Sequence, residues 1–538
     1  MKNRFLHLLS QISKGDIKTF FISIFFLLFI TVSSFATSYH VSVDGLAEGN
    51  GSEDEPWDLV TALAHPNVVQ PGDTIWLHGG TYKGSFTSTL NGSAFANIIV
   101  RQFPNEKVIL DGKTGNGHDS VLEVNGSYTT FWGFTITNSE TIRVSQETGS
   151  NPSDIPHRGG LVIKAHHSKF INLVIYNHNS SGVGLWKPAE NSELYGCIIY
   201  HNGWQGPDRG HGHGLYVQNE IGTKIIKDNI IFNGMSYGVH GYTEGGSIQG
   251  FHFEGNTFFN NGIISKDSKL KANVLIGGLQ PSDRVTFISN YSFHDLSKGG
   301  QNIELGYYSD NENMVCENNY ICGGYLPLKV TKWKSITLYG NTIYGRRELV
   351  SLDLPSGVTS SSYHWDNNTY YQGDDITPMD KLTYEQWKQT YSLDANSQYL
   401  PNPPTGSDVF VRPNQYEPGR SHIIIYNWSL KNSVNVELAG IMPIGSEYTL
   451  FDVENLNSKA IITGKYMGGN LEIPMNLTSV SQPGGNLSCT LSHTGVEFGV
   501  YLLISTPPKQ TSKDYLASQI EENNLTVENI SSEIKSNK

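Results

Sequence analysis

The 538-residue sequence predicts an all-β protein: a solenoid of stacked parallel strands followed by a smaller β-sandwich. Three observations carry the prediction. Short strand-like segments headed by Asn recur through the middle of the chain, with no 3.6-residue apolar period between them. Gly supplies 56 residues, and Asn, Thr and Tyr are abundant, the composition of many short strands joined by tight turns. Beyond residue 408 the pattern changes to longer alternating runs.

The recurring segments are Asn172-Leu-Val-Ile-Tyr, Asn229-Ile-Ile-Phe, Asn256-Thr-Phe-Phe, Asn290-Tyr-Ser-Phe, Asn319-Tyr-Ile-Cys and Asn341-Thr-Ile-Tyr, with Gly196-Cys-Ile-Ile-Tyr holding the equivalent place in another copy. A second strand set interleaves with them: Gly160-Leu-Val-Ile-Lys, Gly184-Leu-Trp, Gly214-Leu-Tyr-Val-Gln, Gly238-Val-His-Gly-Tyr, Asn273-Val-Leu-Ile-Gly, Asn302-Ile-Glu-Leu-Gly and Pro327-Leu-Lys-Val-Thr. Copies recur every 22 to 34 residues, room for two or three short strands and their turns. A propeller blade needs roughly 40–50 residues. Coils stacking at about 4.8 Å fit instead, and the repeated Asn suits an amide ladder running from coil to coil.

The remaining segments follow in order. Residues 1–36 read as an export signal: Lys2, Arg4, Lys14 and Lys18 lead, Phe20 to Val32 is apolar, and Ser34-Phe35-Ala36 is a small-x-small cleavage site. No later run approaches the roughly 20 apolar residues of a membrane helix. The solenoid is expected over 37–345 and a connecting region over 346–407, with a short helix at Tyr384-Glu-Gln-Trp-Lys-Gln-Thr-Tyr. A β-sandwich is expected over 408–506, packed on the solenoid as an accessory domain, and a polar tail over 507–538. Trp428 offers the sandwich a sharper role in carbohydrate binding. The formal charge of −13 argues against a general nucleic-acid binder, yet leaves room for an anionic substrate held in a local basic cleft. Four Cys in such a length are neither a disulfide scaffold nor a zinc motif; Cys316 and Cys322 can face one another.

The opening Tyr39-His-Val-Ser-Val-Asp-Gly, followed by Gln70-Pro-Gly-Asp-Thr-Ile-Trp-Leu-His-Gly-Gly-Thr-Tyr-Lys-Gly-Ser-Phe, resembles the first coil of many secreted polysaccharide lyases. From Tyr39 to about Gly345 the chain is similar to the right-handed parallel β-helix proteins of the pectin-lyase-like superfamily. The resemblance implies the fold. It does not choose the reaction, because the superfamily holds lyases, hydrolases, epimerases, esterases and non-catalytic proteins. Calcium assists some related lyases and stays open by that resemblance, but no acidic cluster with oxygen-ligand spacing is evident here; no other cofactor is expected.

Strand phase then locates a face. In the second strand set one parity is apolar: Leu161, Leu185, Leu215, Val239, Val274, Ile303 and Leu328 should fill the interior. The opposite parity sends out Val162, Trp186, Tyr216, His240, Leu275, Glu304 and Lys329, and beside them Lys164, Gln218 and Tyr242. Tyr216, Gln218, His240 and Tyr242 should form a compact square, flanked by Trp186 and Lys164 on one side and Glu304 and Lys329 on the other. An insertion from Gly203 to Gly214 brings Trp204, Asp208, Arg209, His211 and His213 to its rim, with His213 of inward parity. The loop from Gln146 to Gly159 can add His157 and Arg158.

Trp and Tyr give stacking faces for sugar rings, and Arg or Lys pairs with uronate or sulfate. Elimination from a uronate needs a charge-lessening partner for the carboxylate, a base and an acid. His240 is expected as base, Tyr242 or Tyr216 as acid, and His211 or Arg209 as carboxylate partner, with Lys164 or Gln218 assisting. The main alternative is hydrolysis by paired carboxyls, Glu220 with Glu244 or Glu304 with Asp208. A non-catalytic glycan-binding solenoid is the third reading. The expected partner is an anionic polysaccharide outside the cell; the oligomeric state is not legible.

Overall fold

The computed structural model describes residues 36–113, 120–266, 271–295, 300–372 and 377–508. The expected leader and polar tail fall almost wholly outside them. Among the described residues three parallel sheets run along the molecule, two of twelve strands and one of ten. Each strand pairs with its counterparts in the preceding and following coils, so Val239–Gly241 lies between Leu215–Val217 and Val274–Ile276. The ten-stranded sheet carries the second strand set. Leu161, Val183, Leu215, Val239, Val274, Ile303 and Leu328 stack in register and are fully buried.

The Asn ladder forms at a turn between the two longer sheets. The side-chain amides of Asn229, Asn256, Asn290, Asn319 and Asn341 each donate to the next Oδ1, ending on Asn368, at 2.8–3.1 Å. The backbone N–H of each donates to the same oxygen. Buried polar groups need such partners. Asn172 does not belong to this ladder. Val174 pairs with Ile198 and Ile198 with Ile230, which aligns Asn172 with Gly196 and Asp228, one place earlier. That column turns the chain with positive φ (Asn172 53°, Gly196 64°, Asp228 53°), a conformation that favours Gly, Asn and Asp.

The solenoid does not end at 345. Val350–Asp353, Tyr363–Asp366, Thr369–Gln372 and Gln398–Leu400 all add parallel rungs, so most of the expected connecting region continues the coils. Its longer loops and the helix Tyr384–Tyr391 interrupt the repeat in sequence. That helix is present as expected, with Thr383 and Gln386 forming a capping box, and it buries Trp387 against the end of the core.

The C-terminal domain holds a five-stranded antiparallel sheet and the separate strand pair Ser433–Glu437 with Asn470–Pro474. It packs on a twelve-stranded sheet of the solenoid. Tyr426, Phe498, Val500 and Leu502 meet Tyr200, Phe232, Phe259, Phe293 and Tyr320, and Arg412 pairs with Asp228 at 2.7 Å. Trp428 sits at this junction, its indole N–H donating to Tyr320 Oη at 3.0 Å and Asp408 Oδ2 at 3.1 Å, so it packs two domains together rather than offering an open sugar platform. All four cysteines are free thiols, Cys316 and Cys322 included.

Candidate functional site

A groove of about 710 Å³ opens on the outer face of the ten-stranded sheet. Its floor holds Tyr216 and His240, adjacent in register on neighbouring coils. Tyr242, two residues beyond His240, projects on the same side, as strand alternation requires. The His240 ring lies between two phenols in a parallel stack. Tyr237 is at 4.8 Å with planes 1° apart, and Tyr242 is at 4.7 Å and 7°. His213 packs at 4.2 Å and Tyr216 at 5.1 Å.

The inward parity expected of His213 does not hold, because the residue precedes its strand. Gly214 and Gly238 are aligned where their strands begin, so His213 and Tyr237 occupy the same turn position on successive coils. Trp186 also departs from expectation. Gly184, not Trp186, pairs with Tyr216, and Trp186 lies one outward place further along. Its indole folds back over Gly184, where an added Cβ would come within 2.8 Å of Nε1, and it meets Tyr216 at 5.2 Å. The missing side chain at Gly184 is what lets the indole lie along the floor.

The walls come from loops. Trp204–Gln205 and Gly210–His211 form an antiparallel hairpin. It carries Arg209 to the rim, and Trp204 stacks on His211 at 4.7 Å. His211 is buried and held to Asp208 Oδ1 at 3.0 Å. His157, with Ser150 and Asn151, comes from the 146–159 loop, and its ring packs edge-on against Trp204 at 4.5 Å. Lys271 enters from the opposite coil, 5.8 Å from the Tyr237 ring.

Several expected contributors do not line the groove. Arg158 is buried and donates to Ser85 Oγ at 2.7 Å. Lys164 is tied to Glu123 at 2.8 Å. Glu304 is buried beside Lys329, 3.8 Å away, where the ion pair spends both groups on each other. Gln218 turns its amide toward the Tyr242 carbonyl. Glu220 pairs with Lys187 at 2.5 Å on the exposed surface. Phase alone places these side chains outward; which of them a neighbouring charge captures is a matter of loop geometry. Sequence reasoning missed Tyr237, Lys271 and Tyr307, all of which line the groove. Tyr237 was findable by aligning the residues that precede each Gly-led strand.

The electrostatics favour neutral rings. Burial, then the neighbouring His213, Lys271 and Arg209, holds the His240 imidazole well below its ordinary range. Burial, with Arg209 beside it, pushes His213 down to about 3. The Nδ1 atoms of both rings are buried without a hydrogen-bond partner. Burial raises the Tyr216 and Tyr242 phenols, and the Glu244 carboxylate raises them further, so both remain protonated donors at neutral pH. Arg209 and Lys271 bring positive charge to the groove of a protein whose net charge is negative. Glu244 is the sole carboxylate among the described lining residues. Calcium takes 6–8 oxygen ligands, and this donor set does not fit it. Among the described residues no group of three or more His, Cys, Asp or Glu is placed to hold a metal ion, and no helix is long and apolar enough to cross a membrane.

Residues 39–274 match the family model described as a Pel9A-like, right-handed β-helix region. Similar solved structures include pectate lyase Pel9A, with 15% identity over 64% of this chain and 78% of that one (TM-score 0.41). The GH136 lacto-N-biosidase from Eubacterium ramulus shows 14% identity over 68% and 67% of the two chains (TM-score 0.45). A rhamnogalacturonan lyase shows 15% identity over 68% and 87% (TM-score 0.38). Overlaps of this extent carry no information about substrate or reaction. No curated protein sequence matches the chain.

Proposed function

We propose that the chain, a right-handed parallel β-helix similar over residues 39–274 to the Pel9A-like family model, cleaves an acidic, uronate-containing polysaccharide by β-elimination. One observation carries the reading: the His240 imidazole lies at the groove floor stacked between the Tyr237 and Tyr242 phenols, with Arg209, Lys271 and a single carboxylate, Glu244, in the same lining. Hydrolysis by paired carboxyls needs two acids about 5–10 Å apart across the bond. The described lining offers one, because Glu220 and Glu304 are bound elsewhere.

In the proposed reaction Arg209 and Lys271 receive the uronate carboxylate and draw off its charge, which acidifies the adjacent C–H. His240 takes that proton. The electron pair left behind forms a carbon–carbon double bond as the glycosidic C–O bond breaks. The departing oxygen takes a proton from Tyr242, whose ring stacks on His240 at 4.7 Å. Trp186 and Tyr216 supply faces for the neighbouring sugar rings. The carboxylate that enters the groove also favours protonation of His240, moving a depressed pKa toward the working range as the base is needed. The basic lead and apolar run of residues 1–36 support export to where such polymers occur.

The test is a pair of variants assayed on a panel of alginate, pectin, glycosaminoglycans and sulfated algal glycans. His240→Gln and Tyr242→Phe should each lower kcat by about 10²–10⁴ while circular dichroism and Tm stay as in the parent. Unchanged turnover in His240→Gln removes the assignment.

A further inference from the structure

The groove's outer wall is not supported by the solenoid alone. We infer that the C-terminal domain is a working part of the site: its segment 477–491 sets the position of the Trp204–His211 hairpin, and Arg143 is the positioning residue that connects the two. This segment leaves the sandwich after strand Asn470–Pro474 and returns to it at Phe498–Thr506.

Arg143 is completely buried and has no carboxylate partner among the described ion pairs; its charge is met by carbonyl oxygens. Nη2 donates to the carbonyls of His201 and Gly203, both at 2.6 Å, and Nε donates to Gly203 O at 2.9 Å. These carbonyls lie where the hairpin leaves the coil. Nη1 donates to Gly484 O at 3.2 Å, in the C-terminal segment. One guanidinium thus joins two domains at the base of the wall, a use suited to its fixed fork of donors.

The backbone repeats the connection. Arg143 N–H donates to Asn486 Oδ1 at 2.7 Å, and Asn486 N–H donates to Thr141 O at 2.8 Å. On its other side, Arg143 O accepts from Gln205 N–H at 2.9 Å, and Ser145 N–H donates to Gln205 O at 2.9 Å. Residues 141–145 are therefore a strip held between the C-terminal segment and the hairpin that carries Trp204, Arg209 and His211. A small apolar cluster braces the neighbouring wall. Leu491, with Val480, Leu487 and Cys489 around it, packs on Met235 and Ile264. Met235 directly precedes Ser236 and Tyr237 of the groove lining. Gly203, at φ 110°, has no room for a side chain between His211 O and Met235.

The experiment compares full-length Asn486→Ala and Arg143→Lys with the parent. Both should fold, and both should speed amide hydrogen exchange over residues 203–211, while the strands Leu215–Val217 and Val239–Gly241 exchange as before. On a cleaved polymer KM should rise tenfold or more and kcat should fall with it, since Arg209 of the hairpin both grips the uronate and draws off its charge. Asn486→Asp, which keeps the acceptor for Arg143 N–H, should restore both readouts. Parent-like exchange at 203–211 in Asn486→Ala overturns the inference, as does a loss confined to kcat. The kinetic arm rests on the proposed elimination. A parent inactive on every polymer would count against that reading alone, and the exchange measurement would still decide this one.

Discussion

Replacing Asn290 by Ala tests the ladder that sets the coil spacing beneath the groove. Asn290 is buried between Asn256 and Asn319. Its Oδ1 accepts from Asn256 N–H at 3.0 Å and Asn256 Nδ2 at 2.9 Å, while its Nδ2 donates to Asn319 Oδ1 at 3.0 Å and Phe253 O at 3.2 Å. The substitution does not orphan all four partners. Asn256 Nδ2 keeps Ile226 O at 2.8 Å, and Asn319 Oδ1 keeps the backbone N–H of residue 290 at 2.9 Å. Asn256 N–H and Phe253 O lose the partner the ladder gave them. Phe253 O keeps its strand-pairing bond from Ile288, so one buried group, Asn256 N–H, is left unsatisfied, and the expected loss is about 1–3 kcal/mol. In a solenoid the damage stays near its source. The assay is native-state hydrogen exchange, read at the Asn256 amide and at strands Thr257–Phe259 and Tyr291–His294, with denaturant unfolding alongside. A loss under about 1 kcal/mol with the Asn256 amide still protected would refute the reasoning.

Two further outcomes concern the groove and pH. Gly184→Val should drive Trp186 off the floor, because the new Cβ would come within 2.8 Å of its Nε1. KM should rise severalfold, in line with the roughly 0.5–1.5 kcal/mol of an aromatic contact, and Trp186→Ala should match it; initial rates against polymer concentration check this. Burial pushes His178, His201, His213 and His422 each down to about 3. Between that value and the ordinary 6.5 the unfolded chain binds more protons than the fold, so stability falls as pH drops from about 6.5 toward 3. The steepest slope is about 1.4 kcal/mol per pH unit for each histidine. Thermal unfolding across this window reads the slope. His201→Phe, which removes a ring whose Nε2 is buried without a partner, should lessen it, and an unaltered slope would contradict the assignment.

The repeat was legible because the ladder imposes one residue type at one place in every coil. The misplacement of Asn172 by one position shows the limit: the positive-φ column also accepts Asn, so composition alone does not separate a ladder amide from a turn residue. The outward face was legible because a strand has period two, and Tyr216, His240 and Tyr242 came out together as that phase requires. Trp186 slipped because its strand presents Gly184 at the place between Val162 and Tyr216. Arg158, Lys164 and Glu304 share a cause: each was outward or loop-borne in sequence, but Ser85, Glu123 and Lys329 claim them in space. Coils beyond Gly345 were hidden by the long loops between their strands. The contribution of the C-terminal segment was invisible, since Arg143 and Gly484 are brought together only by the docking of two domains.

The most direct measurement is the chemistry of the product. The parent, mixed with uronate polymers, should release fragments whose new ends carry a conjugated unsaturated uronate, seen as rising ultraviolet absorbance, and His240→Gln should abolish the rise. New reducing ends that appear without that absorbance would contradict elimination.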